Sequence, residues 1–160
     1  MTFSELQSRL GYSFQNLRLL IQAFTHKSIF NGNKELILES NERLEFLGDA
    51  VLDLILSDIL MGAFPKNDEG DLTKKRASLV NEAALFELSL ELGLDQYIQM
   101  GKFEIDAGLQ KNARILASTF EALIGAIYLD GGFAPAKMIV ETLIRDRIEK
   151  LKLGISEFED

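Results

Sequence analysis

Two stretches of this chain are apolar at helical pitch yet carry carboxylates among their apolar residues, and few folds can accommodate both. The first runs from Asn41 to Ile59. In it Leu44, Leu47, Val51, Leu54 and Ile55 recur at helical spacing, which predicts a helix with that stripe against a core. Glu42, Glu45 and Asp49 fall three and four residues apart, so they stack in one column beside the stripe. Like charges at these spacings repel and weaken an isolated helix. Acids in a first turn are favoured by the helix dipole, and Ser40 or Asn41 is a good N-cap. Those preferences account for Glu42 but not for a column of three. A bound divalent cation accounts for the column.

The second stretch, Lys111 to Leu129, is the second strongly apolar helix and includes Ser118, and Glu121 is the one carboxylate among its apolar and small residues. Buried acids are nearly always paired or metal-bound. Gly125 and Ala126 read as a place where another helix comes close. If Glu121 faces the column, four carboxylates meet across two helices. Oxygen donors alone select hard cations such as Mg²⁺ or Mn²⁺. A di-iron bundle of the ferritin type needs Glu-x-x-His on two helices, and the chain has a single histidine, His26. That histidine reads as a residue tying a helix end to nearby backbone. No P-loop glycine pattern and no Ser/His/Asp set with an obvious nucleophile is present. What remains is metal-assisted phosphoryl chemistry.

The rest of the chain reads as helical, which makes the fold class all-α. Prolines occur only at 65 and 135. Phe3 to Leu10 predicts a first helix ended by Gly11, and Asn16 to Phe24 a second, with Leu17, Leu20, Ile21 and Phe24 on one face. A polar loop with Asn31, Gly32 and Asn33 precedes the carboxylate helix, which runs to about Gly62. Pro65 to Gly70 reads as a turn, with Asp71 or Thr73 capping one helix from Leu72 to about Leu92, ended by Gly93. Tyr97 to Met100 is short and apolar, and Gly101 to Gly108 reads as a mobile loop. Pro135 leads into a closing helix, Ala136 to Leu151. Seven or so helices with short connections make one compact bundle over residues 1–153, with the acidic tail 154–160 as the start of a linker and no second domain.

Composition narrows the partners. A formal charge of −8 argues against nucleic-acid binding by electrostatics alone, so such a role needs local basic patches, cations or a second module. Lys74, Lys75 and Arg76, with Lys102, Lys111 and Arg114, are the candidate phosphate contacts. The chain has no cysteine, no visible signal peptide and no apolar run long enough to span a bilayer, so no membrane role is expected and a cytoplasmic location is.

Asn41-Glu42-Arg43-Leu44-Glu45-Phe46-Leu47-Gly48-Asp49 resembles the signature motif of the ribonuclease III family. Leu10 to Phe14, Thr25 to Ser28, Glu69 to Thr73, Leu79 to Glu82 and Phe120 to Gly132 agree with the same family in order and spacing. The resemblance covers nearly the whole chain, as a bacterial-type endonuclease domain. It implies an all-α, Mg²⁺-dependent homodimeric endoribonuclease that cuts double-stranded RNA in RNA processing, leaving 5′-phosphate and 3′-hydroxyl ends. By motif position it makes Glu45, Asp49 and Glu121 metal ligands, with Mn²⁺ as a substitute cation. Glu42 and Glu69 become supporting acids of the same valley, and Phe46 inserts into a hydrophobic socket of the partner; its competing reading is core packing.

The chain departs from the family pattern at Ser118, where the family carries an aspartate at a metal-ligand position. Serine is neutral, shorter and a poorer ligand for Mg²⁺, which implies a weakened or inactive nuclease. Family members usually continue into a double-stranded-RNA-binding domain, so low and salt-dependent affinity is expected here. A non-catalytic duplex-RNA-binding or dimerisation module is the alternative. A helical interaction domain without an RNA role is a third, and it predicts no metal binding.

Overall fold

A computed structural model describes residues 2–31, 39–155 and 158. The expected loop residues Gly32 and Asn33, and Ser156, Glu157, Glu159 and Asp160 of the tail, lie outside the described residues. Eight α-helices are present among the described residues: α1 (Phe3–Leu10), α2 (Leu17–Ala23), α3 (Glu42–Ala63), α4 (Glu69–Val80), α5 (Glu82–Leu92), α6 (Lys102–Asp106), α7 (Ala113–Gly131) and α8 (Phe133–Lys152). The fold is all-α, as the sequence predicts. No helix among them is long and apolar enough to cross a membrane.

Helix α7 is the centre of the core. Leu116, Phe120, Leu123, Ile124, Ala126 and Ile127 are all buried, and α2, α3, α5 and α8 pack around it. Its partner α3 buries Leu44, Gly48, Val51, Leu52, Ile55, Leu56 and Leu60. The two backbones cross in contact at Gly48 and Gly125. A Cβ on Gly48 would fall 1.7 Å from the Glu121 carbonyl oxygen, and one on Gly125 2.4 Å from that of Leu44. The close approach expected at Gly125 is therefore real, and Gly48 is its other half.

The start of α3 is fixed from α2. Asn41 is buried, its amide donates to Ala23 O at 3.1 Å and its backbone N–H to Thr25 O at 2.9 Å. With the Asn41 side chain so committed, the cap comes from Ser40, whose Oγ accepts from Glu42 N at 3.4 Å. Gln99 pairs with the same segment, donating to Phe24 O and accepting from His26 N, while Phe3, Phe24 and Tyr97 pack ring to ring. The apolar Tyr97–Met100 stretch is thus a buried strut holding the entry to α3.

A second tie joins the ends of α7 and α2. Asp130 accepts from the Tyr12 hydroxyl at 2.6 Å and from the Gln15 and Asn16 N–H groups at 2.9 and 2.8 Å. Burial works to raise this carboxyl, but the three donations outweigh it and hold Asp130 below the usual carboxylate range. Tyr12, partly buried against the same carboxylate, is pushed up to about 12.

Several expectations need correction. Leu54 is 58% exposed rather than in the core. At 100° per residue it points roughly 130° away from the face formed by Val51, Leu52, Ile55 and Leu56. Leu17 and Ile21 are also exposed, because the short α2 turns only Leu20, Ala23 and the capping Phe24 inward. The single helix expected from Leu72 to Leu92 is two. It starts earlier, at Asp68, whose side chain accepts from Asp71 N at 2.8 Å. It breaks at Asn81, which adopts an extended conformation and caps α5 by accepting from Ala84 N. The Gly101–Gly108 stretch, read as a loop, contains α6.

Candidate active site

The crossing of α3 over α7 sets the geometry of the acids. Because Gly48 and Gly125 let the backbones touch, side chains one and three residues from Gly48 on α3 reach those on α7 directly. Asp49 acts electrostatically on Glu121, and Glu45 accepts from Ser118 Oγ at 3.0 Å. Glu121 is half-buried, and its carboxyl is pushed up to about 8, first by desolvation and then by Asp49, Glu45 and Asp53. Burial and the neighbouring carboxylates therefore favour the protonated form of Glu121.

Asp53 extends the column by another turn. Burial raises its pKa, Asp49 raises it further, and Arg76 works the other way. It is the acid that sequence reasoning missed; the signal available was its spacing of four from Asp49. Glu42 is exposed, accepts from Ser40 Oγ at 3.3 Å, and lines a cavity of about 420 Å³ with Glu45, Ser118, Arg114, Lys27 and His26.

His26 has a structural task. Its Nδ1 accepts from Ser28 N at 3.1 Å and lies 2.8 Å from Ser28 Oγ, capping the turn Lys27–Phe30. Burial and then Lys27 hold it below its ordinary value, against the opposing pull of Glu104 and Glu42. Tying a helix end to neighbouring backbone is the role its sequence position suggested.

Glu69 lies elsewhere in the chain. It lines a second cavity, of about 440 Å³, with Leu60, Met61, Leu72 and Arg76. At about 1.5 Å per residue the Leu60–Met61 end of α3 is more than 20 Å along the helix from Glu45. Phe46 is 83% exposed, which removes the core-packing reading. With Leu54 and Met61 it forms an exposed apolar stripe along α3.

The basic candidates divide. Only Arg114 shares the acidic cavity. Lys75 sits over the Phe64 ring at 4.9 Å, and Arg76 donates to Ser57 Oγ at 2.8 Å. Lys74, Lys102 and Lys111 are exposed, and none of them lines that cavity.

A hard divalent cation fits this donor set by chemistry. The donors are oxygens only, and Glu121 is a carboxyl kept neutral first by burial and then by surrounding carboxylates, a penalty that a cation offsets. Glu45, Asp49 and Glu121 would hold it. Among the described residues, though, no three Asp, Glu or His side chains converge on one point: Asp49 pairs with Glu121, and Glu45 is turned to Ser118.

An all-helical domain with a carboxylate site at the crossing of its two central helices is the class this geometry defines. The sequence pattern of the family described as ribonuclease-III-like matches residues 16–148. Ribonuclease 3 of Bdellovibrio bacteriovorus is 50% identical over 135 residues, covering 84% of this chain and 57% of that protein. Ribonuclease 3 of Bacillus velezensis is 45% identical, covering 91% of this chain and 59% of that protein. The solved nuclease domain of ribonuclease III from Campylobacter jejuni superposes with a TM-score of 0.83 at 43% identity, covering 91% of this chain and 97% of that domain. The chain belongs to the ribonuclease-III-like family. It spans somewhat under two thirds of the length of these two curated relatives.

Proposed function

We propose that this domain is a double-stranded-RNA endoribonuclease, acting as a homodimer with Mg²⁺ in cytoplasmic RNA processing, and that Ser118 impairs it. The observation that carries the reading is that Asp49 acts on Glu121 across the α3–α7 crossing, with Glu45 held by Ser118 at the same crossing and Glu121 kept neutral by burial and then by its neighbours. When bound there, the cation would supply Lewis-acid polarisation of the scissile phosphodiester, and Mn²⁺ would substitute for Mg²⁺. The residues' part is to orient: Gly48 and Gly125 fix the spacing, Ser118 turns Glu45, and Arg114 offers a guanidinium to a backbone phosphate. Hydrolysis by this route leaves 5′-phosphate and 3′-hydroxyl ends. The assay is cleavage of duplex against single-stranded RNA with Mg²⁺ at enzyme excess, with the ends mapped. Slow, duplex-selective cleavage supports the reading. Duplex binding without cleavage, even after the site is repaired, would leave the non-catalytic binding module, which the Ser118–Glu45 hydrogen bond favours.

The cation makes a prediction through Glu121. Its carboxyl ionises near 4.5 in the unfolded chain but near 8 in the cation-free fold. The stability it contributes is therefore complete below pH 4.5 and is lost as pH rises towards 8. Mg²⁺ favours the ionised form, so the rise in Tm on adding Mg²⁺ should be larger at pH 8.5 than at pH 5. Glu121→Gln should flatten that difference. Calorimetric melts at the two pH values decide it; equal Mg²⁺ shifts would remove Glu121 from the site.

Dimerisation is read from Phe46, Leu54 and Met61. An isologous pairing of α3 with its copy brings the Phe46 end of one chain to the Met61 end of the other. There the cavity lined by Leu60, Met61 and Leu72 offers a socket for Phe46. The same pairing carries Glu69 of one chain towards the acids of the other, which is how it joins the valley. The Campylobacter jejuni domain has a region involved in dimer formation. Phe46→Glu should convert the protein to a monomer in sedimentation velocity, with its melting curve still cooperative. An unchanged dimer would place the interface elsewhere.

A further inference from the structure

Beyond the acidic site, one corner of the fold is organised around a residue that lies past the last helix. Phe158 follows α8 and lies over the Arg147 guanidinium, with Cζ 4.8 Å from the ring centroid. Its carbonyl accepts from Asn81 Nδ2 at 2.7 Å. The ring lines a pocket with Ser78, Leu79, Lys150, Leu151 and Ile155, where only about 10 Å³ remains unfilled. That is at the lower limit for a single water.

The residues that hold Phe158 have other commitments that orient them for it. Asn81 sits at the break between α4 and α5, and its amide oxygen is spent on Ala84 N at 2.9 Å. An amide presents its donors opposite that oxygen, so fixing the cap aims the N–H₂ group outward, where the Phe158 carbonyl lies. Arg147 is held in the same way. It donates to Ala84 O at 3.0 Å and to Glu91 at 3.5 Å, and its side chain is only 10% exposed. One flat face of the guanidinium is left to receive an aromatic ring. The chain also turns back after α8: Gly154 adopts a left-handed conformation, φ +79°, and Ile155 N donates to Lys150 O at 2.9 Å.

We infer that the corner where α4, α5 and α8 meet is a docking site for the chain's own C-terminal segment, with Phe158 as its anchor. The occupant is argued from the contacts above and from charge: residues 154–160 carry Glu157, Glu159 and Asp160 and no basic residue, and the corner presents Arg147 and Lys150. Anything carried beyond this segment is thereby tethered from the α4–α5 corner rather than from the free end of α8. Asn81, already the cap of α5 at the helix break, is also the receptor's hydrogen-bonding end.

The chain contains no tryptophan, so Phe158→Trp introduces a single probe. Its emission should be blue-shifted and its acrylamide quenching several-fold slower than that of Leu153→Trp, a neighbouring position that is 77% exposed. Adding Asn81→Ala to Phe158→Trp should move both readings towards those of the exposed control. Because an indole is larger than the ring it replaces, a second measurement uses the smaller substitution. Phe158→Ala should speed proteolytic nicking after Leu153 and amide exchange at Ala84, with far-UV circular dichroism unchanged. Control-like quenching of Phe158→Trp together with unaltered nicking and exchange in Phe158→Ala would overturn the docking site.

Discussion

Replacing Gly48 by alanine is expected to lower the melting temperature by about 10 °C, corresponding to a loss of roughly 3–5 kcal/mol in a domain of this size. The new Cβ would lie 1.7 Å from the Glu121 carbonyl oxygen and 3.0 Å from Gly125 N. Both obstacles are backbone atoms of α7, the most buried helix, so no side-chain rotation relieves the clash. The helices must separate by more than an ångström, which opens the core around Leu44, Ile55, Leu123 and Ile124. The same separation pulls Asp49 and Glu45 away from Glu121, so activity should fall further than the folded fraction does. Gly62→Ala, on the same helix, is the control. Its Cβ meets nothing within 4 Å, and removing a helical glycine there should be neutral or stabilising by up to about 1 kcal/mol. Thermal melts of the two variants side by side settle the point. A Gly48→Ala protein that melts within 2 °C of the parent would mean that the crossing is looser than the structure has it.

How much of this could be read from the residues differs by element. Helix α1 ends where Gly11 predicts, because a glycine in the left-handed region both stops the helix and takes its last hydrogen bonds. The acid column and Glu121 were legible because helical spacing fixes which side chains share a face. Burial on a given face was less legible. Phe46, Leu54 and Met61 are as apolar as the core, and only the packing of α3 on α7 shows that they point outward. The break at Asn81 was hidden because Leu79, Ala84, Leu85 and Leu88 keep up helical periodicity on both sides of it. An asparagine followed by Glu82 is a capping signal, but periodicity masked it. The Tyr12–Asp130 tie spans 118 positions, and no local pattern announces a contact at that separation. The placement of Glu69 follows a different logic, since its distance from Glu45 within one chain says nothing about its distance in a pair.

Restoring the acid at position 118 should raise Mg²⁺-dependent cleavage of duplex RNA on the order of 10³-fold, about 4 kcal/mol of transition-state stabilisation. Ser118 donates to Glu45 at 3.0 Å, so a serine here brings no negative charge and also holds Glu45 in a contact that would compete with a cation. Aspartate reverses both effects: it has no proton to give Glu45 at neutral pH, and it adds an oxygen donor facing the same cavity. The gain has a cost that can be measured separately. Without a cation, Ser118→Asp adds a carboxylate beside Glu45, close to the Glu121 group already pushed up to about 8 by burial and then by its neighbours. The cation-free variant should therefore melt below the parent, and Mg²⁺ should stabilise it more than it stabilises the parent. Ser118→Asn separates size from charge, since it gives a longer polar side chain that still lacks the negative charge. Cleavage rates ordered Asp far above Asn and Ser, with the larger Mg²⁺ shift only in Asp, are the expected pattern. Equal rates in Ser118 and Ser118→Asp proteins, each shown to bind duplex RNA, would mean that this position carries no part of the reaction.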